Sequence, residues 1–197
     1  MTTPNKPAQS VAPLADLIRN RWSPRIFDSS FALSSEQINS LGEAVRWAPS
    51  SMNQQPWQVV FLTRGDELFN QVSEKGLTGF NQAWAPAASL YAVVLGKQTE
   101  QGKDRNQAAT YYDLGLASMQ LVMQAESMGL RSHFMGGILP DEIAQILRVT
   151  DHWVVCVIAI GKQGSTDGAS EELTARELAE RSRKDPHNTY LINQPLS

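Results

Sequence analysis

Six residues between two prolines carry many of the hydrogen-bonding side chains that this sequence offers a ligand. Pro49 and Pro56 enclose the run Ser50-Ser51-Met52-Asn53-Gln54-Gln55, in which every side chain except that of Met52 can donate or accept a hydrogen bond. Because proline fixes its own φ and lacks a backbone N–H, the run is predicted to be a shaped loop. Such a loop suits a polar ligand with several acceptors, although composition alone favours an ordinary helix-to-strand connection.

Two short basic clusters suit an anion. The first is Arg21-Trp22-Ser23-Pro24-Arg25, and the second is Arg181-Ser182-Arg183-Lys184 near the end of the chain. Arginine makes bidentate, charge-assisted hydrogen bonds to phosphate, and a serine hydroxyl can bind polar atoms beyond it. Each cluster taken alone is more simply a solvated charged turn. Two of them in a chain with a net charge of −3 favour an anionic ligand.

The sequence shows no pattern typical of a catalytic acid, base or nucleophile, or of a metal site. His133, His152 and His187 are scattered, and no cysteine or carboxylate is spaced with them as metal ligands are. A Gly-x-Ser-x-Gly elbow, a P-loop and a Gly-x-Gly-x-x-Gly fingerprint are also missing. Chemistry performed by a bound cofactor would explain this, so no catalytic side chain is assigned.

Composition argues against several classes of partner. The charges are interspersed without a long basic block, so nucleic acid is not an expected partner. The single cysteine, Cys156, lies in an apolar run and is predicted to pack in the core. No apolar run reaches the ~18 residues that cross a bilayer, and the N-terminus carries no signal core. These features predict a cytoplasmic protein without a membrane partner.

Alternating helices and strands must position the polar groups. Helices are predicted over residues 12–20, from the capping box of Ser34 and Gln37 to about 47, and over 66–74, 107–129, 141–147 and 171–181. Strands are predicted over residues 57–63, 88–95 and 153–160, with an extended piece over 131–135 and a terminal strand over 190–193. Residues 88–95 are apolar on both faces, hence central in a sheet. The pattern predicts one α+β domain over residues 11–197 with an extended C-terminal arm, after a flexible lead over 1–10.

The helix predicted over residues 107–129 is apolar almost all the way round. A helix of that kind is buried, and one small sheet cannot cover it on every side. A homodimer interface would supply the remaining cover. The terminal strand would then add to the edge of a sheet, either that of its own subunit or that of the partner subunit.

The two N-terminal stretches together resemble the nitroreductase family of flavin mononucleotide (FMN) enzymes. An Arg-x-Ser-x-Arg/Lys motif and a Pro-Ser-Ser-x-Asn-x-Gln-Pro-Trp motif occur there in this order, as Arg21 to Arg25 and Pro49 to Trp57 do here. The resemblance extends from about Arg21 to the end of the chain. It implies an α+β fold with a mixed sheet flanked by helices, in an intertwined homodimer with two FMN sites at the interface.

The resemblance also implies which residues bind the flavin. Arg21 would lie toward the phosphate, and Arg25 at the pyrimidine edge of the ring, where its charge tunes the flavin. Asn81 would bond the ring, and the backbone of Gly136 and Gly137 would lie near flavin N5. The full set implied is Arg21, Trp22, Ser23 and Arg25 from one subunit; Pro49, Ser50, Ser51, Asn53 and Gln55 from the other; and Asn81, Gly136, Gly137, Arg181 and Arg183, the last two at the phosphate.

One position departs from the family pattern. Some members have a lysine three residues after the matching asparagine, where this chain has Trp84. One cation near the ring is then missing, and stabilisation of the reduced flavin falls more heavily on Arg25. Whether Trp84 changes flavin reactivity does not follow from the sequence.

The resemblance implies hydride transfer from NADH or NADPH, through flavin N5, to a nitroaromatic, a quinone or a similar electron-poor acceptor in a ping-pong reaction. Two alternatives stay open at this point. The chain could be a flavin-binding carrier or sensor without turnover, or a family member specialised for aldehyde reduction or another flavin reaction. Substrate contacts are expected from residues 76–80 and 96–107, and the choice between NADH and NADPH does not follow from the sequence.

Overall fold

The computed structural model describes residues 3–195 as helices on both sides of a central sheet. The α-helices are α1 Asp16–Asn20, α2 Ser35–Arg46, α3 Glu67–Gln71, α4 Asn81–Trp84, α5 Gln107–Ser127, α6 Pro140–Leu147 and α7 Glu171–Leu178. The strands are β1 Trp57–Thr63, β2 Leu90–Lys97, β3 Thr99–Glu100, β4 Lys103–Asp104, β5 Arg131–Met135 and β6 His152–Gly161. Short 3-10 turns occupy Ser51–Asn53, Ala85–Ala87 and Pro186–Asn188, and a π turn over Val72–Gly76 extends α3.

The main sheet has the strand order β1-β2-β6-β5, and all three pairings are antiparallel. The sheet implied to be mixed is therefore antiparallel in this chain, and no parallel crossover is needed to build it. Residues 90–96 of β2 are all buried, which confirms the prediction that this strand is central. The polar segment after β2 contains the small hairpin of β3 and β4.

Alternate residues of β2 face two separate cores, which makes the domain three-layered. Tyr91, Val93 and Leu95 face a core shared with α3, α4 and α6. Leu90, Ala92 and Val94 face a second core, built largely from the buried sides of α2 and α5. Because both faces of the strand are covered, the period-2 pattern of half-buried strands is lost and the whole run is apolar. The predicted α+β class is confirmed.

Two predicted elements differ from the structure. The first helix begins at Asp16 instead of residue 12, because Ala15 before it has an extended backbone with ψ 142°. Residues 190–193 form no strand, so that prediction is wrong for the single chain. A strand needs a neighbouring edge to bond with, whereas the Tyr190 N–H bonds locally to the Pro186 carbonyl at 3.0 Å.

The predicted start of α2 is confirmed. Ser34 and Gln37 form both bonds of a capping box at the start of α2. The helix α5 ends at Ser127, and Gly129 just beyond it has φ +71°, a left-handed conformation that glycine adopts readily. No helix within residues 3–195 is both long and apolar enough to cross a membrane.

The helix α5 is buried on one side only. The side toward the core consists of Thr110, Asp113, Leu114, Ala117, Ser118, Leu121, Val122, Ala125 and Glu126. On the other side Tyr112 is 72% exposed and Met119 is 39% exposed. As predicted, the domain by itself leaves part of this apolar helix uncovered.

Candidate functional site

The segment Arg21-Trp22-Ser23-Pro24-Arg25 follows α1 and alternates between buried and partly exposed residues. Trp22 and Pro24 are buried, whereas the two arginines and Ser23 are partly exposed. An Arg21 Nη1 donates to Ser23 Oγ at 3.4 Å, so these two polar groups share one side of the segment. The Trp22 ring lies under the Lys6 ammonium, 4.2 Å from its centroid, so a cofactor contact at this position would use the backbone.

The C-terminal basic cluster lies close to this segment in space, although most of the chain separates the two in sequence. Burial and the nearby charge of Arg183 lower the pKa of Arg21. Burial and the charges of Arg21 and Arg183 lower the pKa of Arg181. The three guanidinium groups therefore repel one another, and Glu126, the carboxylate that acts on two of them, forms an ion pair with Arg131. A cationic cluster with so little compensation is suited to an anion.

Residues near both chain ends hold this cluster in place. Arg181 Nη1 donates to the carbonyls of Lys6 and, at 3.0 Å, of Arg19. Lys6 Nζ donates to the carbonyls of Glu177 and Ala179 at 2.8 and 2.7 Å. The lead predicted to be flexible has no regular secondary structure, yet Lys6 within it joins α7 to the arginine segment. No sequence pattern indicates these contacts, because they connect residues more than 160 positions apart.

Asn81 and the glycine pair form a second polar group. Asn81 Nδ2 donates to the Gly137 carbonyl at 3.1 Å, and the Thr78 N–H donates to the same oxygen at 3.0 Å. A Cβ on Gly137 would lie 2.9 Å from Asn81 Nδ2, so a larger residue could not approach the amide this closely. The structure thus brings Asn81, Gly136 and Gly137 together at the end of β5.

The helix α7 connects the two polar groups. The Arg176 guanidinium lies 4.3 Å from the centroid of the Phe80 ring, and Phe80 directly precedes Asn81. The charge of Arg176, after burial, also lowers the pKa of Arg25. Arg25 and the segment of Phe80 and Asn81 therefore both lie near Arg176, at the same end of the molecule.

Beneath the arginine segment lie His133 and Trp84. His133 Nδ1 is 2.9 Å from the Pro24 carbonyl, and because only a ring N–H can bond that acceptor, Nδ1 carries the proton. Burial is the main cause that lowers the pKa of His133, to about 4. Its ring packs 4.5 Å from that of Trp84, which is 2% exposed and also stacks on Phe27. The residue that stands where some relatives have lysine is thus a core residue.

The run between the two prolines is a shaped loop, as predicted. The Ser51 N–H donates to the buried carboxylate of Asp113 at 3.2 Å, and the Gln55 N–H donates to Ser50 Oγ at 2.9 Å. Met52, Asn53 and Gln55 have φ of 50°, 55° and 47°. Left-handed backbone at residues other than glycine costs energy and concentrates at functional sites. An ordinary connection would not need it.

This loop lies apart from the arginine segment in the single chain. Arg105 Nη2 donates to Gln54 Oε1 at 2.8 Å, and no hydrogen bond within residues 3–195 joins the loop to Arg21, Arg25 or Asn81. The loop borders an apolar groove of about 500 Å³. The groove is lined by Leu17, Ala44, Pro49, Leu116, Met119, Gln120, Met123, Gln124 and Ser127. Nearby Trp47 and Met52 are 72% and 88% exposed, which marks this side as an interaction surface.

Nothing else in the described chain offers catalysis by side chains. Among residues 3–195 no three His, Cys, Asp or Glu side chains are close enough to hold a metal ion. Burial raises the pKa of Cys156 to about 11, so its thiol is not a nucleophile near neutral pH. The polar groups of the site are therefore suited to binding and orienting a ligand.

Comparisons with known proteins agree with this geometry. The family model described as the nitroreductase family matches residues 18–92 and 69–162. The oxygen-insensitive NADPH nitroreductase of Helicobacter acinonychis (strain Sheeba) is 27% identical over 204 residues, which is 85% of this chain and 90% of that protein. The crystal structure of an oxidoreductase containing FMN superposes with a TM-score of 0.87 at 31% identity, over 98% of both chains. A nitroreductase family protein from Clostridium difficile 630 is 17% identical over 93% of this chain and all of its own, and its TM-score of 0.71 shows a shared fold.

Proposed function

We propose that this chain, which belongs to the nitroreductase family, passes hydride from NADH or NADPH to a nitroaromatic, a quinone or a similar electron-poor acceptor. It is an FMN-dependent oxidoreductase, in keeping with its relatives that are NADPH nitroreductases or contain FMN. The observation that carries the proposal is the convergence of Arg21 with Arg181 and Arg183, which come from opposite ends of the chain.

The residues present fit FMN. Three guanidinium groups with little carboxylate compensation suit its phosphate, which carries close to two negative charges. Nothing lies within 4 Å of the position that a Cβ on Gly136 would occupy, so the backbone there is open to a flat ring, whereas a Cβ on Gly137 would meet Asn81. Arg25 supplies a cation at the same end of the molecule as Asn81.

FMN bound here supplies the hydride chemistry, accepting two electrons from the nicotinamide and delivering them to the acceptor. The chain's own residues bind the cofactor, orient its ring and tune its reduction. Arg21, Arg181 and Arg183 hold the phosphate, and Asn81 orients the ring. Arg25 places a positive charge where negative charge grows only on reduction, so it favours the reduced state.

The site is completed by a second copy of the chain. The loop of residues 49–55 is preformed by Asp113 and Arg105, yet it bonds nothing at the arginine segment of its own chain. The apolar groove beside the loop, with the exposed Trp47 and Met119, provides a surface for a homodimer. In that dimer Pro49, Ser50, Ser51, Asn53 and Gln55 reach the flavin of the other subunit.

Rapid mixing without oxygen separates an enzyme from a flavin carrier. The FMN-loaded protein is mixed with NADH or with NADPH, and the flavin absorbance at roughly 450 nm is recorded over time. The rate of its decrease is compared, by order of magnitude, with the rate for free FMN. We expect fast bleaching with at least one nucleotide and recovery of the colour on adding a nitroarene or a quinone. Bleaching no faster than that of free FMN would indicate a carrier or sensor and would overturn the proposal.

A further inference from the structure

A buried carboxylate lies directly behind the arginine segment. Glu177 on α7 is 0% exposed, whereas Glu171 and Glu172 on the same helix are exposed. Burying a carboxylate is costly unless hydrogen bonds compensate it. Its Oε2 accepts the Arg25 N–H at 2.7 Å, across 152 residues of sequence. Burial still raises the pKa of Glu177, against the opposing effects of the Arg25 and Ile26 N–H groups and the Lys6 charge.

The other side of the same peptide group is also held by a side chain. The N–H of Arg25 and the carbonyl of Pro24 belong to one planar peptide unit. Glu177 accepts from the N–H, and His133 donates to the carbonyl at 2.9 Å. The two bonds come from opposite directions and from two separate elements, α7 and β5. Together they fix the plane from which the Arg25 side chain departs.

We propose that Glu177, assisted by His133, is a positioning residue that clamps the Pro24–Arg25 peptide so that the Arg25 guanidinium is presented to the cofactor. The proposal rests on the proposed function, since it concerns how Arg25 acts on bound FMN. It assigns a role to two residues whose side chains form no hydrogen bond with Arg21, Arg181, Arg183 or Asn81 within residues 3–195.

The clamp is itself anchored. Lys6 Nζ bonds the carbonyls of Glu177 and Ala179, which fixes the end of α7 that carries the carboxylate. His133 is packed against the buried ring of Trp84. On the exposed side, Arg176 carries a like charge toward Arg25 and is held over Phe80. Because the charge of Arg176 repels the Arg25 guanidinium, we expect the Arg25 side chain to shift when the hydrogen bonds to the Pro24–Arg25 peptide are lost.

Two substitutions separate the hydrogen bond from the charge. Glu177→Gln keeps an oxygen that can accept the Arg25 N–H but removes the negative charge. Glu177→Ala removes both the acceptor and the charge. Because the charge is lost in both variants, any difference between them reports the bond. Glu171→Ala, at an exposed position of the same helix, serves as the matched control.

The measurement is the two-electron midpoint potential of bound FMN, which gives the ratio of its affinities in the reduced and oxidised states. We expect this ratio to be at least tenfold lower in Glu177→Ala than in Glu177→Gln, a potential lower by about 30 mV. Glu171→Ala should match the wild type. In an Arg25→Ala background the difference between the two Glu177 variants should vanish, because the clamp acts through Arg25.

Equal potentials for Glu177→Ala and Glu177→Gln, or a difference that persists without Arg25, would overturn the inference. If Glu177→Ala does not fold, as judged by circular dichroism, His133→Phe removes the bond to the other side of the peptide. That variant should also have a lower FMN midpoint potential than the wild type. A midpoint potential equal to that of the wild type would contradict the inference. A wild-type protein that binds no FMN would instead overturn the proposed function, before any variant is compared.

Discussion

Replacing Arg183 by glutamine should weaken FMN binding without unfolding the protein. Arg183 is exposed, and within residues 3–195 its side chain bonds the carbonyl of its neighbour Ser182 at 2.7 Å and no carboxylate. Its charge acts unfavourably on Arg21 and Arg181 when no anion is present. Removing this guanidinium therefore costs the cofactor-free protein no substantial stabilising contact. It also removes the repulsion between Arg183 and the other two arginines.

The magnitude follows from the bond that Arg183 would make to the phosphate. A charge-assisted hydrogen bond contributes about 1.5–3 kcal/mol. At about 1.4 kcal/mol for each factor of ten, Arg183→Gln should raise the dissociation constant for FMN by roughly 10- to 150-fold. Riboflavin has the same ring but no phosphate, so its affinity should not change.

The assay is titration of the cofactor-free protein with FMN and with riboflavin, followed by the quenching of flavin fluorescence. Lys184→Gln, at the adjacent residue, is the control for a general loss of positive charge and should bind FMN nearly as the wild type does. An equal loss of affinity for FMN and riboflavin would refute the reasoning, because Arg183 would then not act on the phosphate. An unchanged FMN affinity would refute it as well.

Three further outcomes are expected. Asp113→Ala leaves the Ser51 N–H without its acceptor and should cost about 1–3 kcal/mol of unfolding free energy in urea, with weaker FMN binding, whereas Asp113→Asn should cost less. Because burial lowers the pKa of His133 from 6.5 to about 4, the unfolded chain takes up this proton first. Stability should therefore fall by about 3 kcal/mol as the pH drops from 6.5 toward 4, and this contribution should be absent in His133→Phe. Met119→Glu places a charge in the apolar groove and should yield monomers in light scattering, with loss of FMN.

Local sequence signals predicted the framework of the fold. The run 57–63 forms β1 with the predicted bounds, and Ser34 with Gln37 starts α2, because both depend on neighbouring residues. The terminal strand could not be predicted reliably, since a strand exists only beside another edge. The early start of the first helix was predicted from apolar spacing, which does not register the extended backbone of Ala15.

The candidate site was predicted only in part. The motifs identify the residues on the exposed side, such as Arg25 and Asn81, and their contacts with a flavin stay predictions. The supporting residues Glu177 and His133 have no such signal, because each acts through a contact with a distant part of the chain. One clue was present: Glu177 lies one turn after Leu173, on the face of α7 that packs on the core. A carboxylate at such a position indicates a specific buried partner.

Native mass spectrometry of the protein reconstituted with FMN tests most directly whether two chains together form the flavin sites. We expect a single dominant species, a dimer that carries two FMN molecules. A monomer that retains FMN would contradict the shared site, because the loop of residues 49–55 would then have no second flavin to reach. A preference for FAD, or no bound flavin after reconstitution, would contradict the assignment of the Arg21, Arg181 and Arg183 cluster to the FMN phosphate.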